Sequence, residues 1–141
     1  MVPQVVLDTN ILYSGLRSNQ GSSYQLLSLL EYNRYQIHLS VPLVLEYEDV
    51  LRRYQDAISF SDIDIKQYLD YLCSIAIHHP IYYLWQPFLR DPKDDMVLES
   101  AIAAQCQYII TFNEPDFVGC EQFGLQTIRP RPFLTILGES P

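Results

Sequence analysis

YIITFNEPDF, residues 108–117, sets an apolar run, Tyr108-Ile109-Ile110, directly against the polar residues Thr111, Asn113, Glu114 and Asp116. A short apolar run that stops in turn-forming residues is the pattern of a buried strand whose carboxyl end opens onto a loop. A second such boundary lies at the start of the chain, where QVVL (residues 4–7) runs into Asp8-Thr9-Asn10. Between the two boundaries the pattern alternates. Ser22 or Ser23 can cap a helix with leucines at 26, 27, 29 and 30, fading near Asn33, and residues 36–41 read as a second strand. Pro42 suits the start of a helix carrying Leu43, Val44, Tyr47, Val50, Leu51 and Tyr54 on one face. Ser61 with Asp64 resembles a capping box opening a helix through Tyr68, Leu69, Leu72 and Cys73. Residues 81–85 read as a strand or an extended connection. Asp91-Pro92 begins a helix that buries Val97, Leu98, Ala101, Ile102 and Ala104 and leads into strand 107–111. Residues 126–128 form a last strand before Pro130 and Pro132, and Phe133 to Leu137 offer a final helical turn. Strands alternating with helices predict an α/β fold with a largely parallel central sheet, in which sites form where the loops leave the strands' carboxyl ends.

Composition bounds what such a domain does. The 141 residues are 48% hydrophobic, enough for a single domain over 1–141 with one core. No apolar stretch approaches the roughly 20 residues that cross a bilayer, and the N-terminus lacks the features of a signal peptide, so the expected setting is the cytoplasm with no membrane partner. Cys73, Cys106 and Cys120 are too few and too widely spaced for a disulfide framework or a zinc ribbon, and read as reduced thiols. The net charge of −8 would disfavour a nucleic-acid partner unless some of the acids converge on cations.

Four acidic places stand out: Asp8 after the first strand, Glu46 or Glu48 on the helix after Pro42, Asp94 with Asp95 at the next helix start, and Asp116. Taken one at a time, each is equally explained by the frequent use of Asp at strand ends, turns and helix starts. At about 100 degrees per residue, Glu46 and Glu48 flank the apolar stripe on opposite edges, and periodicity does not separate them. Asp94 takes the bearing of Leu98 and Ala101, with Asp95 on the rim. An inward carboxylate needs a partner, and no Lys or Arg lies within three residues of Asp8. Mg²⁺ or Mn²⁺, which prefer a few carboxylate oxygens and retain waters, fit that need, and carboxylate clusters of this kind suit phosphodiester hydrolysis.

The ordered set LDTNILYSGLRS (7–18), GSSYQLL (21–27), SVPLVLEYEDVLRR (40–53), RDPKDDMVLESAIAAQCQYIITFNEPDF (90–117) and FGLQTIRPRPFLTIL (123–137) resembles the PIN-domain ribonucleases, specifically toxin components of bacterial toxin–antitoxin pairs. The resemblance implies a three-layer α/β/α sandwich and a divalent-metal-dependent endoribonuclease, with RNA as substrate, a cognate antitoxin and a homodimer. Matched by position, Asp8 is the first metal-ligating acid, Asn10 its supporting neighbour and Glu46 the second acid. D-P-K-D-D supplies the third: the inward bearing favours Asp94, an ungapped register with related PIN toxins selects Asp95. Many PIN domains carry an aspartate two residues after the strand-ending threonine. Asn113 stands there in this chain, with Asp116 as the compensating acid. That departure sustains an alternative, a catalytically weak or inactive PIN-like module that only binds RNA or protein. For RNA, Arg17, Arg52, Arg53, Arg90 and Lys93 are candidate phosphate contacts, and eleven tyrosines offer stacking surfaces, most of them placed as core or rim.

Overall fold

The structure, a computed structural model, describes residues 2–80 and 88–139. Strand β1 (Gln4–Leu7) is buried along Val5, Val6 and Leu7, and ends at Asp8, whose carboxylate accepts from the Thr9 amide and caps helix α1 (Thr9–Arg17). Helix α2 (Ser22–Ser28) follows, continued by a 3-10 turn over Leu29–Tyr32 that stops at Asn33 in the left-handed region. Strand β2 (Gln36–Leu39) leads through Ser40 into α3 (Val41–Arg53), and a short α4 (Gln55–Ile58) links this to α5 (Asp62–Ile75). The sequence-derived capping box is present at the start of α5: the Ser61 hydroxyl accepts from the Asp64 amide and the Asp64 carboxylate accepts from the Ser61 amide. Strand β3 (Ile77–His78), α6 (Pro92–Ala103), β4 (Tyr108–Ile110), β5 (Gln126–Ile128) and α7 (Pro130–Ile136) complete the chain.

Among the described residues the five strands are all parallel, in the order β3-β2-β1-β4-β5. The chain therefore winds outward from β1 through β2 to β3, then returns past β1 to lay down β4 and β5. Right-handed crossovers running in opposite directions along a sheet cover its opposite faces, which gives the three-layer α/β/α sandwich. Helices α1, α2 and α7 pack against one another, α6 lies over β1, β2 and β4, and α3 touches both α1 and α6. One core of β-strand residues and helix stripes fills the space, with Tyr47, Phe117 and Phe133 the largest fully buried side chains among the described residues.

Several sequence expectations shift by one to three residues. Ser40 caps α3, placing Pro42 at the second helical position and ending β2 at Leu39. Gly21 caps α2 in place of Ser22 or Ser23, and Pro130 and Pro132 open α7. Residues 81–85 lie outside the described residues. Helix α1, read only as polar residues after a strand, is a new element, as is the two-residue β3. The cysteines are free, as expected, and burial pushes the Cys106 thiol up to about 12.

Candidate metal centre

The winding reverses between β1 and β4, and at such a switch point the loops of the two halves part and leave a crevice at the strands' carboxyl ends. The register sets what stands there. Leu7 pairs with Ile110 and Ile110 with Ile128, so the next residues, Asp8, Thr111 and Arg129, form one row along the edge. The ladder extends into that row through Asp8 N–H donating to Ile110 O and Thr111 N–H donating to Ile128 O, each at 2.9 Å.

Asp8 is 5% exposed and its orientation is fixed at both oxygens. Oδ1 accepts from the Thr9 amide at 2.8 Å, and Oδ2 accepts from the Thr111 hydroxyl at 2.7 Å. Thr111 is itself fully buried, and its Oγ1 accepts from the Asn113 amide at 2.9 Å and from Asn10 Nδ2 at 3.5 Å. Asn10 Oδ1 in turn accepts from the Phe112 amide at 3.5 Å, so Asn10 and Thr111 clamp the start of the loop after β4 onto Asp8. Behind them the Tyr47 hydroxyl donates to Leu7 O at 2.5 Å and pins α3 to the end of β1. Burial holds the Asp8 carboxyl above its ordinary range; the Thr111 and Thr9 hydrogen bonds partly offset this, and the charge of Asp116 adds to it.

Facing this edge is a cleft of about 510 Å³ lined by Phe88, Leu89, Arg90, Asp91, Asp94, Pro115, Asp116 and Val118. Asp94 is pushed up to about 7, first by burial and then by the charges of Asp8, Asp116, Asp91 and Asp95. Asp116 reaches the cleft from the first turn of the 3-10 helix Glu114–Phe117, and Asn113 immediately before it is exposed. The structure thus brings Asp8, Asp94 and Asp116 into one electrostatic group. Asp95 adds its charge to that group but does not take the expected rim position: it is 7% exposed, deeper than Asp94, and its Oδ1 accepts from the Leu89 amide at 2.9 Å. The Leu89 amide, just ahead of α6, meets Asp95 there, a contact that helical periodicity does not register. The two glutamates also separate. Glu48 pairs with Arg52 at 3.3 Å on the outer surface, whereas the Glu46 side chain is 11% exposed and its Oε1 lies 3.7 Å from Lys93 Nζ. Glu46 therefore faces the ammonium group of Lys93 in the first turn of α6.

Among the described residues, no three His, Cys, Asp or Glu side chains stand close enough together to hold a metal ion as they are placed. The donor set still fits a hard divalent cation. It is all oxygen, and the charges that raise Asp8 and Asp94 are those of other carboxylates. A cation relieves that repulsion.

Of the basic residues singled out in sequence, Arg90 lines the cleft and Lys93 reaches Glu46 from the first turn of α6. Arg52 and Arg53 end α3 and pair with Glu48, Asp62 and Asp49. Arg17 ends α1, roughly 13 Å along that helix from Asp8. Arg129, which sequence reasoning passed over, is in the row with Asp8, placed there by the register of β4 on β5, for which the sequence carries no signal.

No curated protein matches the chain. Among solved structures it is similar to VapBC2 from Rickettsia felis bound to a DNA fragment from their promoter, at 19% identity and a TM-score of 0.52, over 89% of this chain and 98% of that one. A likeness at that identity speaks for the fold. A family model described as the PIN domain matches residues 4–114, from the first residue of β1 to the turn after β4, which includes the switch-point edge and three of the four acidic places. On that match, the chain belongs to the PIN-domain family.

Proposed function

We propose that this protein is a divalent-metal-dependent endoribonuclease that hydrolyses RNA phosphodiester bonds and serves as the toxin of a toxin–antitoxin pair. The observation that carries the reading is the group of like charges at the switch point: a buried Asp8 locked by Thr111, with Asp94 pushed up to about 7 by burial and by Asp8 and Asp116. An arrangement that costs stability in the free protein is expected where a cation is to be bound. PIN domains are generally nucleases, and the likeness to VapBC2 from Rickettsia felis supports a partner antitoxin. The reading includes a homodimer and a cytoplasmic setting. Among the described residues no helix is long and apolar enough to cross a membrane.

Asp8, Asp94 and Asp116 would hold Mg²⁺ or Mn²⁺, with Glu46 joining from α3. When bound, such an ion neutralises charge on the scissile phosphodiester and makes water a better nucleophile near neutral pH. The chain's own contribution is orientation. Thr111 and the Thr9 amide fix Asp8 in one rotamer, and Asn10 holds the loop that presents Asn113 and Asp116. Asp95 keeps the loop before α6 closed over the helix start by its bond to the Leu89 amide. Lys93 offsets the charge of Glu46 in the free protein.

RNA cleavage by the purified protein, measured with and without Mn²⁺, tests this: activity is expected only with the ion and at least 100-fold lower in Asp8→Asn or Glu46→Gln, on the scale of lost electrostatic catalysis. Equal cleavage by wild type and both variants would remove these residues from the site. The alternative, a catalytically weak or inactive PIN-like module that binds RNA or protein, draws on one observation, the absence of three converged ligands among the described residues. Its signature is RNA binding with no Mn²⁺-dependent cleavage.

A further inference from the structure

The reading above leaves a polyanionic substrate approaching a cluster of carboxylates, and asks what holds its strand beyond the reacting phosphate. Arg129 follows β5 directly and shares the edge row with Asp8 and Thr111, two strand spacings or about 10 Å from Asp8. Its guanidinium is held on the protein side by two contacts. Nη1 donates to Phe112 O at 3.1 Å, and the group lies over the Phe112 ring at 5.3 Å from the centroid. Phe112 is in turn tethered through its amide to Asn10, so the guanidinium is anchored to the same loop that closes on Asp8.

The other edge of the guanidinium remains available. A guanidinium carries five N–H donors in a planar fork, and among the described residues only one is engaged. Arg129 is exposed, and among the described residues it forms no ion pair, whereas Arg34, Arg52, Arg53 and Lys93 are each paired to a carboxylate. Two strand spacings separate it from Asp8 along the edge. The edge therefore presents two separate poles, an acidic centre and, beside it, a pre-oriented cation with spare planar donors. Planar, bidentate donors match a phosphate better than a flexible ammonium does.

We propose that Arg129 is a phosphate-binding residue that holds the RNA strand next to the acidic centre, fixing the register of the strand along the β1-β4-β5 edge. The proposal rests on the ribonuclease reading and deepens it by naming where the strand runs. The test uses a short fluorescein-labelled single-stranded RNA and fluorescence anisotropy across a salt series, in the Glu46→Gln background so that the probe stays intact. Arg129→Ala is expected to weaken binding about tenfold and to lower the slope of log K against log salt by about 0.7, the loss of one phosphate contact on a single strand. Arg129→Lys restores the slope but only part of the affinity, because the anchored fork is lost. In the otherwise unaltered protein Arg129→Ala raises KM with kcat kept, and its thermal midpoint stays within about 1 °C, which a merely structural role would not give. RNA bound by Glu46→Gln with the same affinity and slope whether or not Arg129 is present overturns the proposal while leaving the ribonuclease reading standing. No RNA bound by Glu46→Gln and none cleaved by the wild type overturns both.

Discussion

Asp8 shows how one side chain serves two masters at the residue level. As the cap of α1 it satisfies the Thr9 amide, and as the partner of Thr111 it is aimed across the crevice with both oxygens already engaged. Asp94 has no such compensation and carries the repulsion. Its raised pKa means that the folded chain binds a proton there between about 4 and about 7 that the unfolded chain releases, so stability falls as pH rises through that range and the full cost is present above it. A shift of this size corresponds to about 4 kcal/mol, reduced to about 1–2 kcal/mol by solvent screening of a carboxylate at a cleft wall. Asp94→Asn is therefore expected to raise the thermal midpoint of the metal-free protein by about 3–6 °C at pH 8 and to leave it unchanged at pH 4, by calorimetry. A midpoint that falls at pH 8 would mean that Asp94 is stabilised by contacts rather than strained by charge. In sequence, the importance of Asp8 followed from its place after a strand. The reversal between Asp94 and Asp95 did not, because it depends on a loop folding over the first turn of α6 and supplying the Leu89 amide.

Elements whose local signals agreed were legible from sequence. The box of Ser61 and Asp64 at α5, the Asp91-Pro92 start of α6 and the apolar strands β1 and β4 all appear where propensity, capping and periodicity coincide. Helix α1 was not legible because Thr9, Asn10, Ser14 and Gly15 are all weak helix formers, and its stability comes from packing. Gly15 marks that packing. A Cβ there would stand 2.5 Å from Leu27 Cδ1 and 3.1 Å from the backbone C and O of Ser23, so α1 and α2 approach closer than any other residue allows. Gly15→Ala gains up to about 1 kcal/mol of helix propensity, yet overpacking of this order costs about 1–3 kcal/mol. A net loss of about 1 kcal/mol is expected, read as a lower urea midpoint with the slope unchanged. A higher midpoint would show that the two helices separate freely. Strand β3 was missed for the opposite reason: two exposed residues, held by pairing with β2, carry too little pattern to announce a strand.

Across the whole molecule, alternation of strands and helices was enough to place a parallel sheet and to direct attention to its carboxyl edge. It did not give the order β3-β2-β1-β4-β5, and it is this order that makes the Asp8 and Thr111 boundaries neighbours rather than separate loop starts. Arg129 was invisible for the same reason, since it joins the site only through the register of β4 on β5. The fold thus converts acids far apart in sequence into one group, and the central claim is that this group binds a divalent cation. Titration calorimetry of Mn²⁺ into the protein at pH 8 and pH 6, with Asp8→Asn beside it, measures that claim directly. Saturable binding is expected at pH 8, about tenfold weaker at pH 6 where a proton on Asp94 competes with the ion, and absent in Asp8→Asn. No saturable binding by the wild type at pH 8, or binding by Asp8→Asn equal to it, would contradict the claim.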